Sequence, residues 1–170
     1  MPAPDHGVAN TGAEAQFRSV LGHFCSGVTV LTALVDGNPV GMTCQSFFSV
    51  SVDPRLVAVS VARTSSTFPS IRRAGTCTVN VLAAEQSVLS TQFARSGTDK
   101  WAGVTWEPSP THGNPVLTDV LAWIECEFDC EYDAGDHIIV VAKVRDLGSR
   151  AGTGPLLYFK SAYAELASTP

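Results

Sequence analysis

The chain has 170 residues, 45% of them hydrophobic and 16% charged, a length that suits one domain far better than two. Eleven Lys and Arg against sixteen Asp and Glu give a formal charge of -5, too acidic for a phosphate-backbone binder, so no nucleic acid partner is expected. A low charged fraction with mean hydropathy +0.14 predicts a homo-oligomer, while the lack of a membrane-length apolar run or a basic, then apolar N-terminus predicts no membrane contact and a cytoplasmic location.

Residues 1–12 are expected to form a flexible N-terminal tail and residues 13–167 a single domain. Thr11 and Glu14 have capping-box spacing, and Phe17, Val20, Leu21 and Phe24 recur at helical intervals up to Gly27, which predicts an amphipathic helix. Val28 to Leu34 is β-branched and apolar, Asp36-Gly37 is a hairpin signal, and Pro39 to Phe48 reads as the returning strand. After the Asp53-Pro54 turn, Leu56 to Ala62 is a continuous apolar run of buried-strand length. A short helix over Phe68 to Ala74, closed by Gly75, leads into a strand over Thr76 to Leu82. Ala84 to Arg95 is predicted helical, with Val88, Leu89 and Phe93 on one face and Gly97 ending it. The Pro- and Gly-containing stretch Trp106 to Thr118 reads as a surface loop. Leu121 to Tyr132 and His137 to Arg145 then form two long strands, followed by short ones at Leu156 to Phe159 and Ala162 to Leu166. The predicted fold class is mainly β with short helices, a closed or partly closed antiparallel barrel.

Five cysteines are an odd count in a chain with no export signal, which favours free thiols over a disulfide framework. Cys126 and Cys130 lie in a stretch of strict alternation, Ala122 to Tyr132, so they sit on a strand roughly 13 Å apart, too far for one zinc ion or one disulfide. Both read as small core residues. The four histidines never fall at a short chelating interval, and no metal is expected.

Dinucleotide, P-loop, nucleophile-elbow and zincin motifs are all missing, so any nucleotide cofactor lies outside a Rossmann crevice. Four segments remain as candidates. Arg63 to Thr67 follows a buried strand and opens a helix, so backbone N–H groups, hydroxyls and one guanidinium can converge on an anion; an ordinary Ser/Thr helix cap has the same composition. Gly41 to Ser46 places small and polar residues in the middle of a strand, where a flat ring could lie against main chain, or where an edge strand could bulge. Phe93-Ala94-Arg95 with Lys100-Trp101 gathers cations and aromatics past a helix end, which also suits a solvated terminus. His137 opens a strand at a turn, accessible at a barrel rim or simply a turn histidine.

In their order and spacing these segments resemble the short-chain flavin reductases that supply reduced flavin to two-component flavin-dependent monooxygenases. The resemblance runs from about Phe17 to Leu166 through Phe17-Arg18-Ser19-Val20-Leu21-Gly22, Ser26-Gly27-Val28-Thr29-Val30-Leu31-Thr32, Gly41-Met42-Thr43, Ser46-Phe47-Phe48-Ser49-Val50-Ser51, Asn80-Val81-Leu82, Gly135-Asp136-His137 and Pro155-Leu156-Leu157-Tyr158. Two departures are the Arg55 in place of a second proline, and Cys44 and Gln45 where small or amide residues are usual. The resemblance implies a split β-barrel homodimer that binds FAD or FMN near the subunit interface, uses NADH or NADPH as hydride donor and hands reduced flavin to a monooxygenase. It further implies that Thr43, Cys44, Gln45 and Ser46 border the isoalloxazine, and that Ser60, Val61, Ala62, Arg63, Ser65, Ser66 and Thr67 follow the ribityl chain and phosphate. Phe93, Ala94, Arg95 and Lys100 close the phosphate side, and His137, positioning the nicotinamide, lies with Tyr158 toward the donor. A flavin carrier or sensor without turnover, and an oxidase of pyridoxamine phosphate on a related barrel, are the rival readings.

Overall fold

The computed structural model describes residues 11–151 and 154–166. Its elements are α1 (Thr11–Leu21), β1 (Ser26–Gly27), β2 (Thr29–Val35), β3 (Asn38–Cys44), β4 (Phe48–Ser51), β5 (Leu56–Ala62), α2 (Phe68–Ala74), β6 (Thr76–Val81), a 3-10 turn (Ala84–Gln86) and α3 (Ser87–Ala94). Then come β7 (Trp106–Pro108), β8 (Pro115–Leu117), β9 (Ala122–Ala134), β10 (His137–Ser149), β11 (Leu157–Phe159) and β12 (Ala162–Ala164). The expected N-terminal tail lies outside the described residues up to residue 10, as does the Thr11 side chain needed for the capping box; Thr11 and Gly12 already belong to α1.

Seven strands form one antiparallel sheet in the order β3-β2-β6-β9-β10-β5-β4. The two edge strands, β3 and β4, are consecutive in the chain and separated only by residues 45–47, so the sheet must curl until its edges approach. The ladder stays open between them, and the result is a split β-barrel. The β2–β3 turn places Asp36 at φ 51° and Gly37 at φ 78°, the paired left-handed conformation that a two-residue hairpin requires.

The apolar run of β2 is buried on both faces because two cores meet there. Leu31, Ile71, Cys77, Val79, Cys126 and Val140 pack inside the barrel under α2, whereas Val28, Val30, Leu82, Phe93, Leu117 and Leu156 form a second cluster under α3. Each such fully buried aliphatic side chain contributes about 1.5–3 kcal/mol of transfer free energy.

Several expectations need correction. Trp106 to Thr118 is not a surface loop: β7 and β8 pair, Val116 and Leu117 are buried, and Ser109 and Asn114 are buried polar residues. The buried carboxylate of Glu125 draws this segment in, accepting hydrogen bonds from Ser109 Oγ, Thr111 N and His112 N. The proline and glycine content marked the turn but not the polar anchor beneath it. Val88 points outward, so of the predicted apolar face Phe93 is buried and Leu89 half-buried, while Ser90 is the other buried residue of α3. That helix ends at Ala94, before Gly97, because Arg95 is already extended. The returning strand breaks after Cys44 at the barrel opening. Cys126 is core as expected, but Cys130 is only half-buried, its thiol 3.5 Å from the Tyr132 hydroxyl.

Candidate flavin site

The barrel opening is stitched by short polar side chains. Ser46 Oγ donates to Ser60 O at 2.6 Å and accepts from Ser60 N at 2.9 Å, so one hydroxyl replaces the ladder bonds missing beside β5. Thr43 Oγ1 donates to Ser90 O at 2.6 Å and thereby ties β3 to α3. The Cys44 thiol lies 3.1 Å from Ser46 Oγ, and burial pushes its pKa up. Gln45 is exposed at the same opening. These residues line the opening with main chain and short side chains tied by internal hydrogen bonds.

Beside it, Pro39, Gly41, Ser66, Thr67, Ser70, Ser96, Thr98 and Lys100 line a cavity of about 330 Å³. Lys100 Nζ donates to Phe93 O at 2.9 Å, Thr67 Oγ1 at 3.1 Å and Gly41 O at 3.3 Å. One ammonium thus holds the end of α3, the approach to α2 and strand β3 together, and burial lowers its pKa. Five hydroxyls and the Lys100 charge surround this cavity, with Asp99 the one carboxylate in its lining; Lys100 spends its three protons within the chain, so it supplies charge and the hydroxyls supply the hydrogen bonds, a set that fits the phosphate end of a flavin nucleotide.

The other predicted residues divide. Ser65 Oγ accepts from Phe68 N at 3.1 Å and is a cap of α2. The Arg63 guanidinium turns away from the cavity to Asp133 and to Gly135 O (3.0 Å), and so anchors the β9–β10 turn rather than an anion. Val61 and Phe93 are core residues: Phe93 is fully buried against Trp101, and its ring fills the space where a Cβ on Gly41 would be, 2.6 Å away. Gly41 is therefore small for Phe93 and not for a ligand. Ala94, the last residue of α3, and Arg95 after it are exposed, and Arg95 lines an adjoining cleft.

His137 stands opposite Ala62 across the β5–β10 ladder, with Nδ1 2.8 Å from Asp136 Oδ1; the hydrogen bond with His137 holds the Asp136 carboxyl below its usual range. Tyr158 is elsewhere, on β11 in the β1-β11-β12 sheet, its ring packed on Tyr163 at 5.5 Å. Within one chain, then, Ser66, Thr67 and Lys100 come together, His137 joins Ala62 and Arg63 at the rim, and Tyr158 joins neither group. Ser70, Ser96 and Thr98 were not singled out from sequence; the recurrence of hydroxyls on both sides of the Lys100 segment was the available signal.

Residues 21–167 match the family model described as flavin reductase like domain. The reductase subunit HsaB of a flavin-dependent monooxygenase from Rhodococcus jostii is 42% identical over 148 residues, covering 87% of this chain and 75% of that protein. FMN reductase (NADH) SmoA from Agrobacterium fabrum is also 42% identical, over 86% of this chain and 83% of its own. Nitrilotriacetate monooxygenase component B from Mycobacterium thermoresistibile superposes with a TM-score of 0.90 at 37% identity, covering 95% of this chain and 93% of that one.

Proposed function

The chain belongs to the flavin reductase like domain family, and on that premise we propose that it transfers hydride from NADH or NADPH to FAD or FMN and supplies the reduced flavin to a partner monooxygenase. The observation that carries the reading is the Lys100 cavity, with its phosphate-type donor set beside the main-chain wall at residues 43–46. Flavin and nicotinamide, when bound, supply the redox chemistry themselves. The protein's part is to hold and orient. Ser66, Thr67 and Ser70 would bond the phosphate within the field of the Lys100 charge, and the main chain of residues 44–46 would border the flavin's pyrimidine edge, where N–H donors favour negative charge. The internal hydrogen bonds of Thr43 and Ser46 make that wall preorganised. His137, fixed by Asp136, orients the nicotinamide and moves no proton.

The reading includes a cytoplasmic homodimer. Phe17, Val20, Leu21 and Phe24 on and after α1 are more than half exposed in a single chain, 64% and 81% for the two phenylalanines, and a second copy is the partner proposed to cover them. Among the described residues no helix is long and apolar enough to cross a membrane.

The test mixes purified protein with each nicotinamide and each free flavin and follows nicotinamide oxidation. Many turnovers per subunit are expected. Oxidation that stops at one equivalent would make the protein a flavin carrier. In the same assay, His137→Ala raises the KM for the nicotinamide; an unchanged KM and kcat would remove His137 from that role.

A further inference from the structure

Arg63 follows the last residue of β5 and directs its donors at one target, the turn that leads into His137. Its backbone N donates to Asp136 O at 2.9 Å, its Nε donates to Gly135 O at 3.0 Å, and its guanidinium pairs with the Asp133 carboxylate. The sheet order explains the reach. Strand β10 lies between β9 and β5, with Ala62, His137 and Ala134 in one cross-strand row. The Arg63 side chain therefore crosses the start of β10 and ties the end of β5 to the end of β9.

As an ion pair this contributes little stability, because the Asp133 side chain is 87% exposed and that of Arg63 43%, and water screens their attraction. Its geometry matters more. None of residues 133–137 is buried, so apolar packing does not hold this turn, and a turn without such packing opens readily unless hydrogen bonds fix it. Arg63 supplies those bonds from three separate donors. Asp136 is the middle link: its carbonyl is held by Arg63 N, and its carboxylate lies 2.8 Å from His137 Nδ1. A continuous chain of contacts thus runs from the end of β5 through the turn to the imidazole.

We propose that Arg63 is a positioning residue for His137: by pinning Asp133, Gly135 and Asp136 it sets where the imidazole stands against the nicotinamide. This assigns Arg63 to the donor side of the site and not to the flavin phosphate. The inference rests on the reading that His137 orients the nicotinamide. The test compares Arg63→Met, Asp133→Asn, His137→Ala and the double variant Arg63→Met/His137→Ala in nicotinamide oxidation at saturating flavin, with flavin affinity and Tm measured on each. Arg63→Met keeps the aliphatic stem and removes the guanidinium donors; it is expected to raise the KM for the nicotinamide by about threefold to tenfold, with little change in kcat and none in flavin affinity. Asp133→Asn moves KM in the same direction by less. The double variant is expected to match His137→Ala alone, because Arg63 acts only through the imidazole. Arg63→Lys, which can still pair with Asp133 but lacks the planar fork that also reaches Gly135 O, recovers part of the lost KM. Effects that add in the double variant, a loss of flavin affinity in Arg63→Met, or a lowered Tm at unchanged KM would overturn the inference. A raised KM in His137→Ala beside a wild-type KM in Arg63→Met overturns this inference alone, whereas an unchanged KM in His137→Ala brings down the His137 reading and this inference together.

Discussion

Replacing Glu125 by Gln removes a fully buried carboxylate whose two oxygens have different duties. Oε1 accepts from Ser109 Oγ and His112 N, both at 2.5 Å, with His112 Nδ1 3.2 Å away, and Oε2 accepts from Thr111 N at 3.0 Å. An amide oriented to keep the first two bonds turns its NH2 toward the Thr111 N–H, so one donor loses its acceptor and the other two bonds lose their charge assistance. Orphaning a buried N–H costs about 1–3 kcal/mol, and weakening two charge-assisted bonds about as much again, offset in part because no charge need be desolvated. The net loss is about 2–4 kcal/mol, or about 4–16 °C in Tm for a domain of this size. Desolvation pushes the Glu125 pKa up, but the hydrogen bonds from Ser109, His112 and Thr111 outweigh it, and the folded-state pKa is depressed. The stabilisation is therefore present above the unfolded value of about 4.3 and is lost as pH falls through the lower folded value. Thermal denaturation of both proteins at neutral and acidic pH measures this. A Tm difference within error at neutral pH, or a gap that widens in acid, would refute the reasoning.

Lys100→Met keeps the length of the side chain but not its charge, and flavin affinity measured by fluorescence quenching is expected to fall about 10–100-fold. Because burial lowers the Lys100 pKa, the wild-type affinity should decline with rising pH before an ordinary lysine would discharge, and the Met variant should lack that decline. Ser65→Ala is expected to lower Tm, with a loss of about 1 kcal/mol from the missing cap, whereas Ser66→Ala weakens flavin binding at unchanged Tm; the reverse pattern would exchange their roles. Gly41→Ala drives a methyl to 2.6 Å from Phe93 Cε1 and 3.2 Å from Leu31 O, a cost of about 1–3 kcal/mol read by urea denaturation.

What could be read in the sequence was what repeats locally. The uninterrupted Leu56 to Ala62 run, the Asp36-Gly37 turn and the alternation along Ala122 to Tyr132 each report their own conformation, and all three stand as expected. The candidate segments drew notice because hydroxyls and cations stand out on an apolar background, and of them the structure brings Ser66, Thr67 and Lys100 to one cavity. What stayed hidden depends on partners distant in the chain. Nothing local tells that Arg63 is taken by Asp133, 70 residues on, that Ser46 stitches Ser60, or that Glu125 pulls a Pro-rich segment inward. Phe93 and Gly41 misled for a related reason: a small residue opposite an aromatic ring looks the same whether the ring belongs to a ligand or to the protein.

The central claim is that the protein binds and orients two redox partners and contributes no acid or base of its own. Stopped-flow reduction of saturating flavin, with NADH and with NADH deuterated at C4, followed across neutral pH, tests it most directly. The account predicts a deuterium-sensitive flavin-bleaching phase whose rate constant is flat with pH. A bell-shaped profile with a limb that disappears in His137→Ala would contradict it.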